Sequence, residues 1–177
     1  SDPYDDHYHG THDAATAAGN GILKGDAPDA QIVAYKVLNS EGRGTAGNII
    51  AAIERSVDPN QDGDFSDHLD VISLSLGGRG NPDDPKSIAI DSAADIGVTS
   101  VISAGNSGPE EETIRSPGTA RKAITIGATN KSDALAEFSS RGYVKWIDAN
   151  ETVHVLLKPD IVAPGVDICA AKSIHLG

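Results

Sequence analysis

Two histidines three residues apart, His9 and His12, bracket Gly-Thr in the segment HYHGTHDAATAAGNG, which runs from His7 to Gly21. An imidazole serves as a general base or as a metal ligand near neutral pH. On a helix this spacing puts both rings on one face. A zinc site needs a third protein ligand, and the HExxH spacing of metal-binding helices is not met, so the pair alone makes a weak metal site. A second cluster, DPNQDGDFSD at 58–67, repeats oxygen side chains at Asp58, Asn60 and Asp62, followed by Gly63 and Asp64. That is the first half of a D-x-[DN]-x-[DN]-G calcium loop, in which side chains two apart converge on one hard cation as the chain curls. Position 12 of such a loop, normally a bidentate Glu, is Leu69, with Asp67 or Asp70 as the substitute. The pattern predicts calcium at Asp58, Asn60, Asp62, Asp64 and Asp67. The plain alternative is a solvated acidic turn.

Two glycine-rich segments complete the chemical inventory. Gly77-Gly78-Arg79-Gly80 lacks the Lys-Ser/Thr of a phosphate loop and the spacing of GxGxxG, and reads as a plain loop. Gly105-Asn106-Ser107-Gly108-Pro109 follows an apolar run. An Asn at the carboxyl end of a buried strand can aim its amide N–H at a developing oxyanion, whereas alone the same residues read as a turn.

These residues need elements to position them. The runs 31–38 (QIVAYKVL), 70–76 (DVISLSL), 98–104 (VTSVISA), 123–129 (AITIGAT) and 161–163 (IVA) are short, rich in β-branched residues and bounded by Gly, Pro, Asp or Asn, the pattern of buried parallel strands. Between them, 45–57 places Ile49, Ile50, Ile53 and Val57 on one helical stripe, and 85–96 does the same with Ile88, Ala89, Ser92, Ala93 and Ile96, ending at Gly97. An Ala-rich helix is expected over 11–18, stopped by Gly19-Asn20-Gly21. Strands alternating with helices predict an α/β fold, three-layer, with a mostly parallel sheet and right-handed crossovers. Function in such sheets sits at the carboxyl ends of the strands. The segment 143–157 alternates loosely about Asp148-Ala149-Asn150 and predicts a surface hairpin.

The bulk numbers bound the partners. A chain of 177 residues holds one domain with its own core, and no Pro/Ser-rich linker divides it. Only 4% of residues are aromatic, so the core is aliphatic. A net charge of -12 argues against nucleic acid and suits solubility and cation binding. No run of 18 apolar residues predicts a membrane span. The single cysteine, Cys169, forms no internal disulfide, and the absence of methionine predicts a processed or internal part of a longer reading frame.

Seven blocks occur in a consistent order: HGTH at 9–12, GDAPDAQIVAYKVLNSEGRG at 25–44, DVISLSLGG at 70–78, SAGNSGP at 103–109, SPGTARKAITIGAT at 116–129, FSSRG at 138–142 and KPDIVAPGVDI at 158–168. Together they resemble the subtilisin-like serine protease family from Asp2 to about Ala171. The resemblance implies a parallel sheet flanked by helices and peptide-bond hydrolysis by an Asp/His/Ser triad. It implies His9 as general base and Asn106 as the oxyanion-hole side chain. Ser75-Leu76-Gly77 and Ser103-Ala104-Gly105 are similar to the backbone segments flanking the substrate's side-chain pocket. Calcium at acidic loops, peptide or protein substrates and an extracellular location follow from the same resemblance.

The departures are as informative. The family's catalytic Asp sits in a D-[ST]-G strand ahead of HGTH; Asp2, Asp5 and Asp6 lack that context. The family's nucleophile sits in GTSMAxP; no serine here matches, and Ser173 lies in AKSIHLG. HGTH is followed by Asp13-Ala14-Ala15 rather than Val-Ala-Gly, a charge that an inward-facing helix would not tolerate. These departures predict a truncated core, inactive by itself. Two alternatives stay open: an engineered or diverged non-catalytic calcium-binding scaffold, and a fragment complemented by another chain. An uncovered sheet edge or face also leaves self-association open.

Overall fold

The computed structural model describes residues 3–173. They group into two compact units, 3–52 with 168–173 and Ile53–Asp167, and the boundary falls inside a helix.

In the first unit, helix α1 (His9–Ala18) begins two residues before the expected Ala-rich stretch and ends where Gly19 follows. Its carboxyl end is closed by the returning chain: Asp26 and Ala27 N–H donate to Thr16 O and Ala17 O at 3.2 and 2.8 Å. Gly25 is required there, since a Cβ would sit 2.7 Å from Ala18 N. No residue of α1 is buried, and the Asp13 side chain is 37% exposed to solvent. Helix α2 (Ala46–Val57) is capped by Thr45, whose Oγ1 accepts from Asn48 N at 3.2 Å. Its predicted stripe is present, with Ile49, Ile53 and Val57 buried.

One expected strand is absent. The run 31–38 forms no strand among the described residues, and Ile32 and Val33 each remain 53% exposed. A β-branched sequence becomes a strand only where a neighbour takes its N–H and C=O groups, and none of the described strands pairs with this run.

The second unit holds a four-stranded parallel sheet flanked by helices: β1 (Val71–Leu74), β2 (Thr99–Ser103), β3 (Ile124–Thr129) and β6 (Ile161–Pro164), in the order β1-β2-β3-β6. Helix α3 (Pro85–Ile96) connects β1 to β2. Asp84 caps its start by accepting from Lys86 N and Ser87 N, Pro85 occupies the first turn, and Gly97 ends it in the left-handed conformation (φ 112°). The helix buries Ser87, Ile90 and Ala93, and the core beneath contains Ile72, Val98 and Ile102. Ser87 Oγ lies 3.3 Å from Ser116 Oγ and 3.0 Å from Thr119 Oγ1, so its buried hydroxyl is satisfied. Strands β1, β2 and β3 alternate in burial, whereas β6 does not: the adjacent Ile161 and Val162, on opposite faces, are both at least half exposed. The runs of β1 to β3, which read as buried on both faces, are thus covered on one, and that of β6 on neither.

The expected hairpin over 143–157 is present as β4 (Val144–Ile147) and β5 (Val153–Leu156), antiparallel, with Val144 opposite Leu156. Its turn is held by Asp148, whose carboxylate accepts from Asn150 N and Thr152 N. Val144, Trp146 and Leu156 pack on Ala104 and Ile114, so the hairpin leans on the residues that follow β2.

Candidate active site

His9 opens α1, and its position is set by Asp5, which lacks the family's D-[ST]-G context but holds the start of the helix. The carboxylate of Asp5 accepts from His7 N (3.0 Å), Tyr8 N (3.2 Å), Thr11 N (2.8 Å) and Thr11 Oγ1 (2.6 Å). It thereby satisfies donors at the start of the helix that have no intrahelical partner. Partial burial pushes the Asp5 carboxyl up. The hydrogen bonds from Thr11 and His7 and the charge of Lys36 outweigh this and hold it below the ordinary aspartate value.

The histidines diverge. His9 Nδ1 lies 3.5 Å from Asp13 Oδ2, with the His9 side chain 43% exposed. His12 Nε2 is 3.0 Å from Ile168 O. They do not share a metal, and among the described residues no three His, Cys, Asp or Glu groups converge on one. Nε2 of His9 makes no hydrogen bond among the described residues, so it is open for proton transfer. Ser173, the serine nearest the chain's end in the described region, is buried and donates to Asp5 O at 3.0 Å. Asp6 pairs with Lys36. Asp2 lies outside the described residues.

The second unit brings the other predicted site residues together. The register pairs Leu74 with Ile102, so Ser75-Leu76-Gly77 and Ser103-Ala104-Gly105 leave the sheet side by side. Segment 114–116 bridges them: Arg115 N–H donates to Ala104 O, and Ser116 and Gly78 exchange both backbone hydrogen bonds, all at 2.9 Å. Gly105 has φ 110°, and a Cβ there would lie 2.6 Å from Arg115 Cγ and 2.9 Å from Ser140 Oγ. Only glycine meets both demands. The turn past it is buttressed by Ser140, whose N–H donates to Gly105 O (2.9 Å) and whose Oγ accepts from Ser107 N (3.1 Å). Asn106 sits at the crest of this braced turn, exposed, with no side-chain hydrogen bond among the described residues. Its amide donors are free for a ligand.

The acidic loop is held by local hydrogen bonds. Asp58 spends its carboxylate on backbone donors: Oδ1 accepts from Gln61 N (2.7 Å) and Asp62 N (3.2 Å), and Oδ2 from Gly63 N (3.0 Å). Asn60 Oδ1 accepts from Asp62 N, Asp62 from Asp64 N, and Asp64 from Ser66 N, which caps the 3-10 turn Phe65–Asp67. Gly63 adopts φ 83° at the turn. Among the described residues no three of the loop's carboxylates converge.

No helix among the described residues is long and apolar enough to cross a membrane. The family model described as "Subtilase family" matches residues 1–176. Serine protease AprX of Bacillus subtilis is 38% identical over 190 residues, covering 98% of this chain and 41% of that protein. Minor extracellular protease Vpr of the same organism is 52% identical over 122 residues, covering 68% of this chain and 14% of that protein. Among solved structures, Sphericase superposes with a TM-score of 0.79 at 34% identity, covering 97% of this chain and 56% of that one. The chain therefore spans less than half the length of these curated relatives. With the parallel sheet, the HGTH helix and the braced Asn106 turn in place, the chain belongs to the subtilase family of serine proteases.

Proposed function

We propose that this chain is the part of a subtilisin-like serine endopeptidase that supplies the general base, the oxyanion donor and the substrate segments. His9 Nε2 takes the proton of the attacking hydroxyl and returns it to the leaving amine. Asn106 donates its amide N–H to the oxygen that becomes negative as the carbonyl carbon turns tetrahedral. Ser75–Gly77 and Ser103–Gly105 hold the peptide. The observation that carries this reading is the Asn106 turn: a free, exposed amide on a braced loop at the carboxyl end of β2, beside the parallel end of β1. A donor needs this preorganisation to favour the transition state over the ground state.

A nucleophilic serine in family context and a D-[ST]-G aspartate do not occur in these 177 residues. Peptide hydrolysis therefore needs both from outside them, and the 177-residue chain alone does not turn over. Substrates are peptides or proteins met outside the cell, in line with the extracellular relative. In the intact protein, Asn106→Ala should lower kcat by about 10²–10³ with a smaller change in KM. A variant with unchanged kcat would remove Asn106 from the site.

A second reading, a calcium-binding scaffold, is favoured by the order Asp58-Asn60-Asp62-Gly63-Asp64 with its turn glycine. Asp58 accepts three backbone N–H groups, which leaves a lone pair of Oδ2 for a cation. Saturating calcium should then raise the Tm by mass action. Identical melts in calcium and in excess EDTA would reject the site.

A further inference from the structure

Arg115 has no part in the steps above, yet it stands where the two substrate segments meet. Its neighbours Ile114 and Ser116 are buried, and in extended chain the side chain between them points the other way. The stem lies against both glycines of the segments: a Cβ on Gly77 would be 2.9 Å from Arg115 Cβ, and one on Gly105 would be 2.6 Å from Arg115 Cγ. Glycine at both positions makes room for the arginine.

The guanidinium is oriented but not neutralised. Nε and Nη2 donate to Ser107 Oγ at 2.9 and 2.7 Å. Of the five N–H groups of an arginine this leaves three, without a partner among the described residues. No carboxylate there lies within ion-pair distance, in a chain with 26 acidic residues. A second cation is near: Lys86 Nζ lies 3.9 Å from where a Cβ on Gly78 would be, and among the described residues it bonds only Ser116 O, at 3.3 Å, and pairs with no carboxylate. The acid beside it, Asp84, directs its oxygens to the backbone N–H groups of Asn81, Lys86 and Ser87.

We propose that Arg115 is a specificity-determining residue, and that this chain's pocket selects peptides with Asp or Glu at the residue whose carbonyl is cleaved. Asn106 follows Gly105 directly, so a carbonyl oxygen held by the Asn106 amide places its own residue's side chain between the two segments. A carboxylate there meets a guanidinium already fixed by Ser107, so it recovers charge-assisted hydrogen bonds that a neutral amide does not match. The inference rests on segments 75–77 and 103–105 being the substrate pocket.

The test uses the intact protease and paired peptides differing only in Glu or Gln at the cleaved residue. Glu should be preferred by about 10- to 100-fold in kcat/KM. Arg115→Gln should abolish the preference, Arg115→Lys should keep its sign, and Arg115→Glu should transfer it to Lys peptides. Gly77→Ala, which presses on the Arg115 stem, should shift the profile as well. Equal cleavage of Glu and Gln peptides by the parent protein overturns the inference. If Gly77→Ala moves the profile and the Arg115 variants do not, the pocket stands and the role of Arg115 falls. If none moves it, the pocket assignment itself falls. An intact protein that cleaves no peptide sinks the peptidase reading and this inference together.

Discussion

Asp160→Asn tests whether the packing that supports the sheet is understood. Lys158 is the buried cation of the second unit: its side chain is 1% exposed and its Nζ donates to Ala123 O and Asp160 Oδ2, both at 2.7 Å. Asp160 Oδ2 also accepts from Thr125 N at 2.7 Å, so one carboxylate joins β3 to the start of β6. Asn keeps an acceptor for Thr125 and removes the charge opposite Lys158. Stripping the partner from a fully buried charge costs about 3–5 kcal/mol. Here Asp160 is 39% exposed and Lys158 keeps the Ala123 carbonyl, which together reduce the loss to about 2 kcal/mol. For a chain of this length that is about 4–8 °C in Tm. Urea unfolding followed by circular dichroism measures it, and a loss below about 0.5 kcal/mol, the range of ordinary surface substitutions, would refute the reasoning. The pH dependence is a second check. Burial raises the Asp160 carboxyl, but the hydrogen bonds from Lys158 and Thr125 and the Lys158 charge overcome it and hold the carboxyl below its ordinary value. A depressed carboxyl stabilises the fold above the unfolded value, near about 3.9, and loses that contribution as pH falls through the folded value. Parent and variant should therefore converge in acid. A gap that persists well below that range would contradict the assignment.

Gly105→Ala should destabilise the fold by about 1–3 kcal/mol through its left-handed backbone and the contacts with Arg115 and Ser140, read from a urea midpoint; an unchanged midpoint would mean the turn is not braced as described. The single tryptophan, Trp146, reports on the hairpin: its Nε1 donates to Asp83 Oδ2 at 2.7 Å, its ring stacks on His154 at 5.0 Å, and Arg121 lies 5.2 Å above it. Asp83→Ala should shift its emission to the red, and a spectrum identical to the parent would show that Asp83 does not hold the ring. The hydrogen bond from Arg121, with smaller help from Trp146, keeps the Asp83 carboxyl below its ordinary value. In the parent the emission should therefore hold above the ordinary aspartate range and shift only as pH falls through the lower folded value.

Legibility in the sequence followed how local each feature is. The runs at 70–76, 98–104 and 123–129 became strands, because each has a neighbour in the same parallel sheet. Helix 85–96 was readable to its last residue, since Asp84, Pro85 and Gly97 mark its ends by backbone chemistry alone. The hairpin at 143–157 was readable from its alternation about Asp148. The run 31–38 has the same composition as the true strands, but pairing is a property of the neighbour, which the run does not encode. The same division holds for the site. HGTH, the Ser75–Gly77 and Ser103–Gly105 segments and Asn106 were visible as motifs. Arg115 was not, because its place between the segments arises from backbone bonds to Ala104 O and from the Ser116–Gly78 bridge, which no spacing in the sequence announces. The acidic loop shows the converse case: its pattern was plain, and its carboxylates are turned to local N–H groups.

In the proposed reading these residues hold the base and the oxyanion donor of a subtilase while the nucleophile lies outside them. Fluorophosphonate labelling tests it most directly, because the reagent marks only an activated serine. The purified 177-residue chain should take up no label, and the intact protein should be labelled stoichiometrically on a serine outside these residues, with labelling lost in His9→Ala. Stoichiometric labelling of any serine within the 177 residues, or an intact protein that labels equally well without His9, would contradict the account.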